Sequence, residues 1–385
     1  MGWFVKATLN IEFGKNINQN YYVRKHMNAA GKRKVKSKPK SKTFKTALII
    51  TLGIFLLLLV AVGIKIYEDV FADNINLEAN KKSYLLVYTN KSLTENAELI
   101  KQNGLLNNTD AFFRIADLTG YASLIKPGRY EVVDGMNNLA LLRLLVSGKQ
   151  TPLDVTFKYA QRKADLVSFW ANQLETDSNE LLQLLNDSVY CASIGFNTEN
   201  IGSLFIPNTY NFYWTTSALK LVKRMEAEYV NFWNQSRIEK LARTKLTKIE
   251  VSVLASIVQK ETYMTDEMPV IAGAYMNRLR LGMPLQADPT IIFAMNDNSI
   301  KRVAGDMLNI QSPYNTYQYK GLPPGPICVP GKAALDAVLN FKEHKFIYFC
   351  AKENFSGYHN FAVNFTQHQK NARKYQKQLN KRGVK

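Results

Sequence analysis

One carboxylate in this chain stands where catalysis could use it. Glu261 lies in the stretch Leu254-Ala-Ser-Ile-Val-Gln-Lys-Glu-Thr262. Upstream, Thr247 and Glu250 have the spacing of a capping box, so a helix starts there. A step of about 100° per residue gathers Val251, Leu254, Ala255, Ile257 and Val258 into one apolar sector. Glu261 falls inside that sector, and Lys260 points away from it. Glu250 shares the sector, but the cap and the helix dipole account for it. A carboxyl desolvated by Ile257, Val258 and Tyr263 has a raised pKa, which suits a general acid near neutral pH. The same spacing also fits a structural Glu paired with Arg278 or Arg280.

The elements around this helix would have to shape a cleft. Residues 268–281 read as a helix that carries Asn277-Arg278 and ends at Gly282. Asp288-Pro289-Thr290 looks like an N-cap followed by proline in the first turn. Residues 312–317 and 321–326 are loops that their prolines stiffen. A strand over 347–350 and the segment His359-Asn-Phe361 precede a basic helix from Thr366. Asp266, Glu267 and Asp288 are the carboxylates near enough in sequence to serve as a partner to Glu261, and Asp288 is the one that capping explains most simply.

Totals narrow the function classes. The 385 residues exceed one ordinary domain, and the net charge is +19. Residues 1–45 alone hold 12 Lys or Arg and one acid, so most of the excess belongs to a tail. Such a run repels itself and stays unfolded. Residues 46–64 are apolar without a charge, long enough to cross a bilayer, and they continue into Lys65 rather than a cleavage site. Lysines precede this span and acids follow it, which puts residues 1–45 in the cytoplasm and the rest outside. That placement argues against a nucleic-acid binder. Three distant cysteines imply free thiols rather than a disulfide framework, although a Cys328–Cys350 bridge stays open. The four histidines show no metal spacing, and with no nucleotide motif either, no cofactor is expected.

Between the span and the helix, residues 81–153 read as a small α+β module. Its parts are a strand at 83–88, helices near 97–100, 111–118 and 137–147, and a Pro127-Gly128 turn before a second strand. This order resembles a LysM-type carbohydrate-binding module. A strand at 154–158, helices at 164–174 and 178–185, and one long helix over 218–237 follow. The aromatic run Ser203-Leu-Phe-Ile-Pro-Asn-Thr-Tyr-Asn-Phe-Tyr-Trp214 suits either core packing or a wall that stacks on sugar rings.

Several long motifs, in order, resemble the MltG/YceG family of endolytic murein transglycosylases. They are Ala255-Ser-Ile-Val-Gln-Lys-Glu-Thr262, Asn277-Arg-Leu-Arg-Leu-Gly-Met-Pro-Leu-Gln-Ala-Asp-Pro-Thr290, Tyr314-Asn-Thr-Tyr317, Gly321-Leu-Pro-Pro-Gly-Pro-Ile327 and His359-Asn-Phe361. The resemblance covers about residues 80–380. It implies an α+β fold with one N-terminal transmembrane helix (46–67), a LysM-like module (81–153) and a larger catalytic domain (154–385). It implies a lyase acting on peptidoglycan glycan strands outside the cytoplasmic (inner) membrane, near the penicillin-binding proteins that synthesise them. Glu261 falls at the family's catalytic position. It would protonate the oxygen between N-acetylmuramic acid and N-acetylglucosamine. It would then take the proton of the muramic C6 hydroxyl as a 1,6-anhydro ring closes. Gln286, Asp288, Asn315, Tyr317 and His359 would line the sugar cleft. The chain departs from the family at Gln259, where an acid is common. Two other classes stay open: a glycan-binding scaffold with a structural Glu261, and a hydrolase with a second carboxylate.

Overall fold

A computed structural model describes residues 42–78, 81–300 and 302–382. The tail over residues 1–45 lies almost wholly outside these residues. The first element, α1 (Lys42–Phe71), is long and apolar enough to cross a membrane, judged by length and composition. Its last turn belongs to the folded unit that begins at Lys65. There Asp69 accepts from Arg114 at 2.9 Å, and Asn138 donates to the Asp69 carbonyl at 2.7 Å.

The folded unit is mixed α+β with two hydrophobic cores. The smaller is built by β1 (Ser83–Val87), α2 (Leu93–Asn103), α3 (Thr109–Leu118), β2 (Gly128–Val132) and α4 (Asn138–Ser147). β1 and β2 pair antiparallel, with Ser83 opposite Val132 and Val87 opposite Gly128. Leu85, Tyr130 and Val132 point inward at every second position, against Phe112, Ile115 and Leu141 of the helices. Side chains cap the N-termini of all three helices: Ser92, Asn108 and Asn137.

The larger core takes in β3 (Leu153–Phe157), α5 (Lys163–Gln173), α6 (Ser178–Asn186), α7 (Ser188–Ser193), β4 (Asn208–Phe212), α8 (Ala218–Phe232), α9 (Gln235–Thr244), α10 (Lys248–Glu261), α11 (Met268–Arg280), α12 (Asp288–Met295) and α13 (Lys332–Leu339). β5 (Tyr348–Ala351), β6 (His359–Ala362) and α14 (Phe365–Lys381) close one side. β3 pairs with β4, and β5 with β6, both antiparallel. The helix expected over 218–237 is two helices. Asn234 interrupts it, because its side chain accepts from the Arg237 amide and so caps a new start. The aromatic run is core except for Tyr213, which is exposed: Tyr210 and Phe212 pack on Trp170, with ring centroids 6.4 and 5.5 Å away.

α10 is the axis of this core. Every residue from Val251 to Val258 is buried, including Ser252 and Ser256. A helix buried all round is held by its neighbours rather than by a single face. The proline-rich loop before α13 is tied to it directly. The Ile327 amide donates to Ser256 Oγ at 3.0 Å, and the Gly331 amide donates to Gln259 Oε1 at 2.6 Å. Gly273 lets α11 approach the chain after α13, since a Cβ there would stand 2.2 Å from the Lys342 carbonyl oxygen. All three cysteines are free thiols, with Cys191 and Cys328 buried.

Candidate active site

Glu261 is the last residue of α10, where the buried helix emerges into a cavity of about 430 Å³. Burial pushes its carboxyl up to about 7, and the nearby Asp288 charge adds to this. Two groups pull the other way, a hydrogen bond from Tyr275 and the Arg278 charge. Tyr275, buried on α11, donates to Oε1 at 2.6 Å. Oε2 has no protein partner among the described residues. Tyr263 does not cover the acid as its position suggested; it is 93% exposed, because the chain turns at Thr262, which caps the helix end in an extended conformation.

The arginines do not neutralise Glu261. Arg278 is only 7% exposed, and its guanidinium donates to carbonyls: Ile347 at 2.6 Å, Leu285 at 2.7 Å and Pro284 at 3.1 Å. Gln286 Oε1 accepts a fourth bond at 3.1 Å. Arg280 lies over the Phe341 ring instead. Arg278 therefore sets a field in the cavity without forming an ion pair there.

A second wall comes from the segment 286–290, and the 312–319 loop holds it in place. The Gln286 amide donates to the Thr316 carbonyl at 2.9 Å, the Ala287 amide to Thr316 Oγ1 at 3.0 Å, and the Thr290 and Thr316 hydroxyls share a bond of 2.9 Å. Gln286 is fixed at φ 51, a left-handed conformation that a side chain makes unfavourable. Asp288 does not cap α12. Ala287 occupies the cap position, and the Asp288 carboxylate instead accepts from the Tyr317 hydroxyl and lines the cavity. Burial raises its pKa, and the Tyr317 bond partly offsets the rise. Asn315 is not at the cleft at all. It is 0% exposed, its amide donates to the Leu308 and Ile310 carbonyls at 2.9 Å each, and its oxygen accepts from the Tyr317 amide at 3.0 Å. It sets the loop that presents Tyr317.

The third wall is the β5–β6 hairpin with the start of α14. His359 lines the cavity, and its Nδ1 lies 2.7 Å from Glu267 Oε2. An ionised carboxylate only accepts, so Nδ1 carries the proton and Nε2 is left for the cavity. Glu267 also accepts the His359 amide at 2.8 Å, which commits it to holding this strand. Phe349 stands between Tyr275 and His359, edge-on to both at 5.5 Å. Tyr348 lies between Arg278, 5.1 Å from its ring, and His368, stacked at 5.2 Å.

The cavity thus gathers Glu261, Gln286, Asp288, Tyr317 and His359, and excludes Asn315. Sequence reasoning missed Tyr275, Tyr348 and His368 as lining residues. Tyr275 had a signal: it is 14 residues after Glu261, inside a helix bound to pack on α10. Chemically, the site offers one half-enclosed acid that stays protonated near neutrality, a second carboxylate, and polar groups spaced around a volume that suits one or two sugar rings.

The model of the YceG-like family matches residues 85–374. The protein named endolytic murein transglycosylase of Bacillus subtilis (strain 168) is 25% identical over 330 residues, covering 81% of this chain and 90% of its own length. The protein of the same name from Streptococcus pneumoniae serotype 2 is 29% identical over 340 residues, covering 79% of this chain and 61% of its own. The crystal structure of a YceG-like protein from Listeria monocytogenes superposes with a TM-score of 0.51 at 24% identity, covering 76% of this chain and 99% of that one. At that identity the last likeness speaks for the fold.

Proposed function

The chain belongs to the YceG-like family, and from that membership we infer that it is a peptidoglycan lytic transglycosylase. One observation carries the assignment to a site: a carboxyl whose pKa is raised to about 7, with a single hydrogen-bond partner among the described residues, at the mouth of a sugar-sized cavity. Glu261, neutral, protonates the glycosidic oxygen between N-acetylmuramic acid and N-acetylglucosamine. Tyr275 occupies Oε1, so Oε2 carries the proton that moves. As the bond breaks, the Glu261 carboxylate accepts the C6 hydroxyl proton and the freed oxygen closes the 1,6-anhydro ring. The proton released balances the proton delivered, and Tyr275 stabilises the carboxylate in between. Gln286, Asp288, Tyr317 and His359 bind the sugars.

The remaining assignments rest on the same reading. Residues 46–67 anchor the protein in the cytoplasmic membrane, with residues 1–45 inside and the catalytic domain outside. The small core supports a separate LysM-like module over 81–153, and the large core supports a catalytic domain over 154–385. Nascent glycan strands beside penicillin-binding proteins are the substrate, which the enzyme trims or terminates.

A second reading has one observation in its favour. Asp288 faces the cavity instead of capping a helix, so a second carboxylate is available to activate water. That would make the enzyme a hydrolase. Digesting purified glycan strands with the detergent-solubilised full chain and weighing the products separates the readings. Anhydro ends support the lyase, reducing ends support the hydrolase, and intact strands would leave only a glycan-binding scaffold.

A further inference from the structure

A second cavity, of about 720 Å³, opens beside the first. The two share a ridge. Glu261 and Asp288 line the first, while their chain neighbours Lys260, Thr262 and Pro289 line the second. A group bound against the acid therefore reaches the second cavity by crossing the end of α10. We propose that this second cavity binds the anionic peptide branch of the muramic acid residue whose glycosidic bond is cut. The proposal rests on the transglycosylase reading above and adds a specificity site to it.

Charge separates the two cavities. In the first, Glu261 and Asp288 stand beside Arg278, whose guanidinium is taken up by the Ile347, Pro284 and Leu285 carbonyls, so its described lining offers a further carboxylate no uncommitted Lys or Arg. The described lining of the second contains no Asp or Glu and one cation, Lys260. Lys260 donates to the Tyr159 hydroxyl at 3.3 Å, which uses one of three ammonium hydrogens and orients the group. Gln161 and Asn298 offer amides, bonded to each other at 2.9 Å, and Ile292 and the fully exposed face of Tyr263 give apolar contact. This set suits a short peptide with a carboxylate: amides for its backbone, apolar surface for small side chains, one ammonium for its charge.

Substrate chemistry supplies the rest. The N-acetylated glycan backbone of peptidoglycan is neutral, and its anionic groups sit on peptides joined through a lactyl ether to C3 of each muramic residue. The bond that breaks is at C1 of that same ring. The branch must therefore leave the cleft within one sugar's width of the acid. A cavity one residue from Glu261 and one from Asp288 lies at that distance in the chain.

The test compares kcat/KM of the full-length protein on uncrosslinked strands with free peptide carboxylates and on the same strands with those carboxylates amidated. Wild type is expected to favour the strands with free carboxylates by about fivefold, the upper end for one solvent-exposed ion pair. Lys260→Met should bring that ratio close to one, Lys260→Arg should keep it, and Asn298→Asp should lower it. The proposal fails if wild type shows no preference, or if Lys260→Met leaves the ratio where it was. Failure to cut either substrate would instead remove the transglycosylase reading on which it stands.

Discussion

Tyr275, buried on α11, donates a 2.6 Å hydrogen bond to Glu261, half-buried at the end of α10. The bond favours the ionised acid, and burial favours the neutral one. Burial wins, and the carboxyl comes to rest at about 7. An acid so balanced can give a proton and take one back at the same pH.

Replacing Tyr275 by Phe should tip that balance further. Without the donor, the charged form loses its stabilisation and the Glu261 pKa rises by about one unit. The alkaline limb of kcat/KM, expected near pH 7 in wild type, should move to higher pH, and turnover at pH 6 should fall because the carboxylate intermediate is less stable. A limb that stays in place would show that another group titrates.

Glu261→Gln should abolish cutting, a loss of roughly 10² to 10⁴ for a general acid. It should also stabilise the fold at neutral pH. Folded Glu261 keeps its proton up to about pH 7, whereas the unfolded residue releases it near 4.5. The folded state thus binds more protons between those values, so stability falls as pH rises through them, by at most about 3 kcal/mol. The neutral amide avoids this. Urea titrations should show the variant ahead of wild type at pH 8 and level with it at pH 4. An advantage at pH 4 as large as at pH 8 would mean the gain has some other source.

Asp288→Asn tests the second carboxylate. On the lyase reading the variant still forms anhydro ends, with kcat/KM reduced about tenfold by the weakened Tyr317 contact. On the hydrolase reading reducing ends disappear. Mass analysis of the products reads both outcomes from one digest.

Gln286 should tolerate Gly and reject Val. At φ 51 a glycine relieves strain and a β-branched residue adds to it, so Gln286→Val should lose about 2 kcal/mol or more while Gln286→Gly stays within about 1 kcal/mol of wild type. Both should weaken sugar binding through loss of the amide. Equal stability of the two variants would contradict the backbone account.

How much of this was written in the sequence depends on distance along the chain. Glu261 was legible because helical periodicity places it inward relative to five neighbours on one helix. In the large core the expected strands at 154–158 and 347–350 correspond to β3 and β5, but their partners β4 and β6 were not legible. β5 and β6 have only four residues each, too few for alternation to declare a face. Asp288 misled because Asp-Pro is a common helix start, and here the Tyr317 hydroxyl draws the carboxylate into the cleft. Asn315 misled for a related reason: an Asn in a tight loop more often bonds the loop's own carbonyls than a ligand. Tyr263 was expected to cover Glu261 from two residues further on, but a helix that stops at Glu261 no longer carries its periodicity forward.

The hairpin that supplies the third wall also has a meaning in time. Translation delivers Glu261 well before Tyr348, His359 and His368, so a growing chain holds this carboxyl beside an unwalled opening. Cutting power then arrives only with the last strands to be made. A chain stopped after Leu339 should bind no sugar beside Glu261 and leave strands intact; strand cleavage by such a fragment would refute this. For a cell that must not cut its own wall from half-made protein, the order of residues would itself be a safeguard.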